Sequence, residues 1–391
     1  MHVLLIEPRY YTTYPPLGLL KISAYHKSLG DSAQLVRGCR RPVEKPDRIY
    51  VTSLFTWSWK TVWETVRYYK NLFPQVELWL GGLYASLLPR HAALCGADRI
   101  HEGLFGDAEN LMPDYGLVPR WNGSIIFSSR GCIRKCAFCA VPKLEGDLNS
   151  VKHSIKHLIY PKHTKIIFWD NNILASPSWR AVFDELEDLN MTVDFNQGLD
   201  ARLITDDVVE RLGRLKLSSG SGIKVRLGYD SGTSSPFVQK AIEKLTAGGI
   251  RGREIMVYVL YNYDENPEDF FERVRNVLNW GAVAYPMRYE PLNSLEKGKH
   301  VGPRWDRGKL EMVTDSRRVI GYGGAFPPYG ALIRKFRRAR CFDEAFRLRP
   351  VAKKRTVTVR RASMEKTTNY ELTKRKLCLL PLLGTNRRVK C

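Results

Sequence analysis

The sequence lacks long hydrophobic runs. Among its 391 residues no stretch of about 18 uninterrupted apolar residues occurs, so no transmembrane helix is expected. The N-terminus, Met1-His2-Val3-Leu4, has only a short apolar run and no basic start, which predicts a first strand rather than a signal peptide. These absences favour a cytoplasmic protein that does not enter a membrane.

Cysteine is scarce, and most of it is scattered. Five of the eight cysteines follow no regular spacing, which argues against a disulfide framework and suits a reducing cytoplasm. These five are Cys39, Cys95, Cys341, Cys378 and Cys391.

Acidic residues are scarce at the C-terminal end. From residue 331 to residue 391 the chain has 19 Lys and Arg against 4 Asp and Glu, so most of the formal net charge of +22 belongs to this segment. A charge-rich tail of this kind is most often simply exposed to solvent. The more specific interpretation is that it binds nucleic acid through contacts to phosphates. The small basic excess of the remaining chain gives no indication that the body binds polyanions.

The other three cysteines, Cys132, Cys136 and Cys139, form a C-x3-C-x2-C motif after a short apolar run. Thiolates at this spacing are ligands for an iron–sulfur cluster or zinc. No fourth ligand is nearby, since the next candidates are His153 and Cys341. Three ligands would leave one iron of a [4Fe–4S] cluster open to a substrate or cofactor. A zinc loop and three buried thiols are the alternatives.

Strand and helix patterns alternate along most of the chain. Residues 1–115 predict a parallel, doubly wound α/β domain with its site at the strand C-termini. Residues 123–292 contain six further strand cores separated by helix-like stretches. Residues 293–391 form a C-terminal extension that ends in the basic tail.

The cysteine motif, with Phe138 before its third cysteine and a strand before its first, resembles that of the radical S-adenosylmethionine (SAM) superfamily. The six strand–helix units of residues 123–292 resemble the partial (β/α)6 TIM-type barrel of those enzymes. The resemblance implies a [4Fe–4S] cluster on the three cysteines, whose open iron chelates SAM. It also implies reductive cleavage of SAM to a 5′-deoxyadenosyl radical, which abstracts hydrogen from an unactivated C–H bond, and a reductant such as flavodoxin or ferredoxin.

Polar residues follow the ends of the predicted barrel strands, where barrel enzymes hold their sites. By the same resemblance, Asp170-Asn171-Asn172 would bind the SAM amino group and Arg202 its carboxylate. The backbone of Phe138 would lie near the adenine. Asp230-Ser231 takes the place of the family's Glu-Ser pair on strand four, with an acid one methylene shorter. Gln197, at the end of strand three, is a further cofactor-binding candidate.

The N-terminal region, through Pro15-Pro16-Leu17-Gly18-Leu19 and a segment that begins with Gly81 and Gly82, resembles the cobalamin-binding-type domain of one large radical SAM class. The two glycines are then candidates to contact the cofactor. The sequence has no D-x-H-x-x-G motif, so it offers no lower histidine ligand to cobalt. Many members of the class also lack this motif. Two interpretations stay open. The domain binds cobalamin, which implies methyl transfer to carbon, or it keeps a flavodoxin-like shape without a corrin.

Two other functions are consistent with the sequence. The basic tail and Arg130-Gly131-Cys132 also suggest RNA modification, including tRNA methylthiolation. That subgroup holds a second cluster on three N-terminal cysteines, whereas residues 1–131 contain only Cys39 and Cys95. The second hypothesis is not an enzyme: it is a non-catalytic iron–sulfur protein associated with nucleic acid. The sequence does not name the substrate.

Overall fold

The structure is a computed structural model and describes residues 1–218 and 221–348. Most of the basic tail, together with the nucleic-acid contacts predicted for it, lies outside these residues. Within them, no helix combines the length and the apolar character that crossing a membrane requires.

The first half of the chain forms a five-stranded parallel sheet in the order β2-β1-β3-β4-β5. Flavodoxin-like folds have this order, and their ligands bind at the carboxyl ends of the strands where the order reverses, here β1 and β3. The strands are β1 (His2–Glu7), β2 (Ser32–Arg37), β3 (Arg48–Ser53), β4 (Glu77–Gly82) and β5 (Arg99–Ile100). The helices are α1 (Leu17–Ser28), α2 (Trp59–Leu72), α3 (Leu83–Leu87) and α4 (Pro89–Ala93).

Alternate residues of β1 enter two separate cores. Val3 and Leu5 pack with Leu19 of α1, whereas Leu4 and Ile6 belong to the cluster that contains the buried residues of α2. Successive side chains of a strand point to opposite faces, so both faces of this sheet are covered. A near-continuous apolar strand sequence is typical of such a sheet.

The second half contains two further parallel sheets, in the orders β6-β7-β8-β9 and β10-β11-β12. A parallel bridge between Leu199 and Leu227 connects them. The strands are β6 (Ser124–Ile126), β7 (Lys165–Phe168), β8 (Thr192–Phe195), β9 (Lys216–Leu217), β10 (Val225–Tyr229), β11 (Ile255–Tyr261) and β12 (Val283–Arg288). The six expected strand cores are all present, which confirms the α/β class. The two-residue strand β9 was not predicted, because two residues show no periodicity.

Helices α5 (Val141–Leu144), α6 (Trp179–Leu189), α7 (Asp206–Arg214), α8 (Ser235–Ala247) and α9 (Pro267–Asn279) lie between these strands. Helices α10 (Arg307–Val319), α11 (Gly330–Arg338) and α12 (Phe342–Phe346) follow them. One continuous core joins both sheets and buried residues of these helices. It includes Leu332 and Phe336 of α11, so this basic helix packs on the body rather than beginning a solvated tail.

The Gly/Pro-rich loop after α10 packs against the last sheet. Phe326 in this loop is fully buried and forms an antiparallel bridge with Ala284, the second residue of β12. The loop therefore adds to the edge of the last sheet, near the start of its edge strand. A bridge there covers backbone groups that an exposed edge would leave unpaired.

Gly82 ends β4 in a conformation that only glycine adopts easily, with φ of +96°. A Cβ added there would lie 2.2 Å from the carbonyl oxygen of Ser53 on β3. Gly30, with φ of +83°, has open space around the same position. Backbone strain therefore applies to both glycines, and a steric clash only to Gly82.

We predict that Gly30→Ala lowers the free energy of unfolding by about 1 kcal/mol, the cost of a left-handed alanine. Gly82→Ala should lower it by roughly 3 kcal/mol or more, because the two strands must also separate. Urea unfolding followed by circular dichroism measures both. Equal losses in the two variants would show that the close approach of β3 and β4 is not required.

Candidate functional site

The three cysteines lie on the loop that follows β6. Cys132 is buried, and Cys136 and Cys139 are partly exposed. The start of the loop is tied down by paired backbone hydrogen bonds of 2.9 Å between Arg130 and Asn149. Gly131, with φ of +71°, passes so close to the backbone of residue 147 that a Cβ would clash. Backbone contacts therefore hold the start of the loop in place without a cofactor.

Three N–H groups point at the cysteine sulfurs. The backbone amide of Arg134 donates to Cys132 Sγ at 3.3 Å, and that of Val141 donates to Cys139 Sγ at 3.5 Å. The side-chain amide of Asn172 donates to Cys132 Sγ at 3.8 Å. Hydrogen bonds of this kind stabilise thiolates and adjust the reduction potential of iron–sulfur clusters.

Burial raises the pKa of the Cys136 and Cys139 thiols, and the nearby carboxylate of Asp230 raises both further. Without a cation these thiols stay protonated at neutral pH. A metal centre that binds here must displace their protons, so its binding is expected to weaken as the pH falls. In the described ranges, 1–218 and 221–348, no three His, Cys, Asp or Glu side chains are grouped so as to hold a metal ion, so the three thiols would have to move closer together to bind one cluster.

A cavity of about 290 Å³ opens beside the cysteine loop. The three cysteines line it, so the structure brings the motif together with the ends of the neighbouring strands. Six other residues expected from the sequence also line it: Phe138, Asn171, Asn172, Gln197, Arg202 and Asp230.

Asn172, which lines this cavity, has an unsatisfied acceptor. The side chain is 4% exposed, and its amide nitrogen donates to Asp200 at 3.2 Å as well as to Cys132. These donations fix the orientation of the amide. Its oxygen, Oδ1, is buried without a hydrogen-bond partner in the described structure. A buried acceptor without a partner is costly, so a ligand N–H group would satisfy it.

Asp170 does not line the cavity, in contrast to its expected role as the acceptor for the SAM ammonium. Its carboxylate is 3% exposed and accepts four hydrogen bonds. The donors are the backbone N–H groups of Ser128 and Ser129, at 2.9 and 2.7 Å, and their hydroxyls, at 2.6 and 3.0 Å. These bonds occupy both oxygens, so Asp170 fixes the end of β6 instead.

Ser231 also serves the chain rather than the cavity. Its hydroxyl accepts from the backbone N–H of Thr233 at 3.2 Å and thereby caps the short helical turn Gly232–Ser234. It is not among the residues that line the cavity.

Two lining residues that were not predicted as binding residues form an ion pair. Arg134 Nε donates to Asp200 Oδ2 at 2.9 Å, and the other carboxylate oxygen lies 3.6 Å from Arg202. Arg202 is 40% exposed on its side chain and donates to the Ser234 hydroxyl at 3.1 Å. The position of Arg134 inside the cysteine motif was the available signal. Its partner lies 66 residues away, which spacing does not reveal.

A larger cavity, of about 870 Å³, lies at the carboxyl edge of the five-stranded sheet and extends to the ends of β7 and β8. Gly81 and Gly82, the candidate cofactor contacts, both line it. The contact that makes Gly82 necessary is the Ser53 carbonyl of the neighbouring strand, not the cavity. Gly82 is therefore explained by strand packing alone.

A chain of buried ion pairs connects this larger cavity with the cysteine loop. Lys21 on α1 contacts Glu109 at 3.2 Å, and Arg130 contacts Glu109 at 2.7 Å and Glu145 at 3.3 Å. Glu145 in turn accepts at 2.9 Å from both the Gly131 backbone and the Asn171 side chain. Burial lowers the pKa of Lys21 to about 8, against the attraction of Glu109.

We predict that Asp170→Asn lowers the free energy of unfolding by roughly 2–4 kcal/mol, because the new amide group faces donors that then lose their acceptor. Asp264→Asn is the matched control, since Asp264 is an exposed residue that also follows a strand end. Urea unfolding measures both variants. If Asp170→Asn is as stable as the wild type, the hydrogen bonds from the two serines are not required for stability, and a ligand-binding role for Asp170 is favoured again.

A second prediction concerns Asp230. Burial raises its pKa from 3.8 to about 6, although Arg273 and Arg202 oppose the shift. Above pH 6 the native state holds an ionised buried carboxylate, whereas the unfolded chain holds it in water, so ionisation destabilises the native state. Asp230→Asn should therefore raise the free energy of unfolding near pH 7.5 by up to about 3 kcal/mol.

This gain should shrink as the pH falls from about 6 to about 4, because the native carboxyl is then neutral in the wild type as well. Urea unfolding of the metal-free protein at several pH values measures the difference, with Asp264→Asn as control. A gain that does not depend on pH would contradict the burial of a charge at Asp230.

Comparison with known proteins finds a shared fold. No protein-family model matches the chain, and no curated protein matches it. Among solved structures, the chain is similar to TsrM from Kitasatospora setae, a radical SAM methyltransferase solved with tryptophan substrate and the SAM analogue aza-SAM bound. The TM-score is 0.58 at 13% identity, over 81% of this chain and 77% of that one. A galactofuranose-binding protein aligns with a TM-score of only 0.17 at 7% identity, over 82% of this chain and 89% of that one. The chain therefore has an α/β fold similar to that of TsrM.

Proposed function

We propose that this protein is a radical SAM enzyme that binds a [4Fe–4S] cluster through Cys132, Cys136 and Cys139. The observation that carries the proposal is the surroundings of these sulfurs. Three N–H groups are directed at two of them, and Asn172, whose buried side-chain oxygen has no hydrogen-bond partner in the described structure, is one of the residues that line the cavity beside them. A fold similar to that of a radical SAM methyltransferase supports it, and we take residues 123–292 to be the partial (β/α)6 barrel.

Cys132, Cys136 and Cys139 would hold the cluster, which when bound would supply a coordination site for SAM and one electron, taken from flavodoxin or ferredoxin, for the reductive cleavage of SAM to methionine and a 5′-deoxyadenosyl radical. The chain's own residues bind and orient SAM. Asn172 Oδ1 accepts from its ammonium, in the place first expected of Asp170. Arg202 pairs with its carboxylate, because the guanidinium has donors beyond those used by Asp200 and Ser234. Phe138 lies at the adenine.

We also propose that the larger cavity holds cobalamin and that the reaction is methyl transfer to an unactivated carbon. The position of the cavity, at the carboxyl ends of β1, β3 and β4, supports this, because flavodoxin-like sheets bind ligands there. Its size, about 870 Å³, and its aromatic walls suit part of a large flat ring. The loop after β1 contains no histidine, so the chain offers no histidine ligand to cobalt from that loop.

Replacement of Cys132, Cys136 and Cys139 together by Ala should remove the iron that the reconstituted wild type retains and abolish 5′-deoxyadenosine formation from SAM and dithionite. Mass spectrometry measures the product. The matched control replaces Cys39, Cys95 and Cys341, which lie outside the motif, and should change neither quantity. Iron and SAM cleavage that persist in the motif variant would refute the proposal.

Cobalamin binding has a separate readout. Anaerobic protein mixed with hydroxocobalamin and then desalted should keep the absorption spectrum of the corrin at about one equivalent. SAM cleavage without retained corrin would leave the radical SAM assignment in place and remove methyl transfer through cobalamin.

A further inference from the structure

One residue lines both cavities. Gln197 follows β8, and it borders the small cavity at the cysteines as well as the larger cavity at the first sheet. Its side chain is exposed, and its amide makes no hydrogen bond within the described residues. A molecule held beside Gln197 in the larger cavity is therefore next to the space where the small cavity begins.

The wall of the larger cavity near Gln197 is aromatic. Tyr14 packs edge-on against Trp169, with ring centroids 5.2 Å apart, and Phe127 meets Trp169 edge-on at 6.2 Å. All three rings line the cavity at the side of β6, β7 and β8. Rings arranged at steep angles to one another present faces and edges to a flat guest, which favours an aromatic ligand.

The ionisable groups of this wall are paired with one another. Lys21 and Arg130 contact Glu109, and Arg130 also contacts Glu145. Among the described lining residues, Lys297 is the one Lys or Arg without a carboxylate partner. Its ammonium lies over the ring of Trp57, which follows β3 of the first sheet rather than β6, β7 or β8. The side chains of Lys21 and Arg130 are only 9% and 6% exposed, in contrast to the 40% of Arg202 in the small cavity. On the larger-cavity side of Gln197 an anionic ligand would therefore find no accessible cation, and burying its charge would be costly.

Uncharged hydrogen-bonding capacity is available at the same place. The Tyr14 hydroxyl accepts from the Asn196 side-chain amide at 2.7 Å. No acceptor for the tyrosine proton, and no donor to Asn196 Oδ1, occurs in the described part of the chain. Together with the free amide of Gln197, the site has donors and acceptors for a neutral polar group.

We infer that the junction of the two cavities binds the substrate, and that the substrate is an uncharged aromatic compound bearing an amide-like or carbonyl group. Tyr14 and Gln197 donate hydrogen bonds to its oxygen, Asn196 Oδ1 accepts from its N–H group, and the three rings enclose its aromatic part. The inference deepens the proposed function by naming a substrate class, and it rests on that function only for the reaction.

Equilibrium dialysis of the anaerobically purified full-length protein tests it with three probes that share one ring. Indole-3-carboxamide has the neutral polar group, 3-methylindole lacks it, and indole-3-carboxylate carries a charge. The carboxamide should bind at least roughly tenfold more tightly than either of the others. Tyr14→Phe and Gln197→Leu should each weaken carboxamide binding roughly fivefold and leave 3-methylindole binding unchanged. Tyr322→Phe, at an exposed tyrosine outside both cavities, is the control.

Equal affinity for the carboxamide and 3-methylindole, preference for the carboxylate, or carboxamide binding insensitive to both variants would overturn the inference. 5′-Deoxyadenosine formation, measured on the same preparations, separates the two proposals. Probe selectivity without SAM cleavage would support the binding site and refute the radical SAM function. SAM cleavage without probe selectivity would do the opposite.

Discussion

The hydrogen bonds of one carboxylate determine where the cysteine loop begins. The two carboxylate oxygens of Asp170, at the end of β7, accept hydrogen bonds from the backbone N–H groups and the hydroxyls of Ser128 and Ser129. These serines are the last residues before the segment that carries the three cysteines. Backbone donors at the end of a strand have no sheet partner, and in the protein interior they must find another acceptor. Asp170 supplies it, and the loop leaves the strand in a defined direction.

The next turn of the loop depends on the other half of the chain. Arg130 is buried between Glu109 and Glu145, and its guanidinium lies 3.3 Å from the centre of the Phe127 ring. Glu109 belongs to the connection after the first sheet and also holds Lys21 of α1. Removing one partner would leave a buried charge uncompensated, which is strongly destabilising. The position of the cysteine motif is thus supported by both parts of the chain, through ion pairs that line the larger cavity.

Much of the fold was predictable, because the spacing of apolar residues indicates strands and helices, and turn residues such as Gly and Pro indicate where they end. The six strand cores expected within residues 123–292 are present as β6, β7, β8, β10, β11 and β12. The candidate site was predictable only in outline. Parallel strands bring their carboxyl ends together, which placed Asn172, Gln197, Arg202 and Asp230 near the cysteines.

The direction of each side chain at a strand end was not predictable. Asp170 and Asn172 are two residues apart, yet one turns back to the backbone of β6 and the other reaches Cys132. Such choices depend on which backbone donors are left over after the sheets form, and on partners distant in sequence. The reason for glycine at position 82 was not predictable either, because it is the close approach of Ser53 on a neighbouring strand rather than contact with a ligand.

We infer that the three cysteines hold a cluster with one iron open to SAM. Electron–nuclear double resonance on the reduced, reconstituted protein, with SAM labelled with ¹⁵N at its amino group, measures whether SAM binds that iron. A hyperfine coupling between the cluster spin and the ¹⁵N nucleus is expected, and it should be lost when Cys132, Cys136 and Cys139 are replaced. An intact reduced cluster that shows no coupling to labelled SAM at saturating concentration would contradict it.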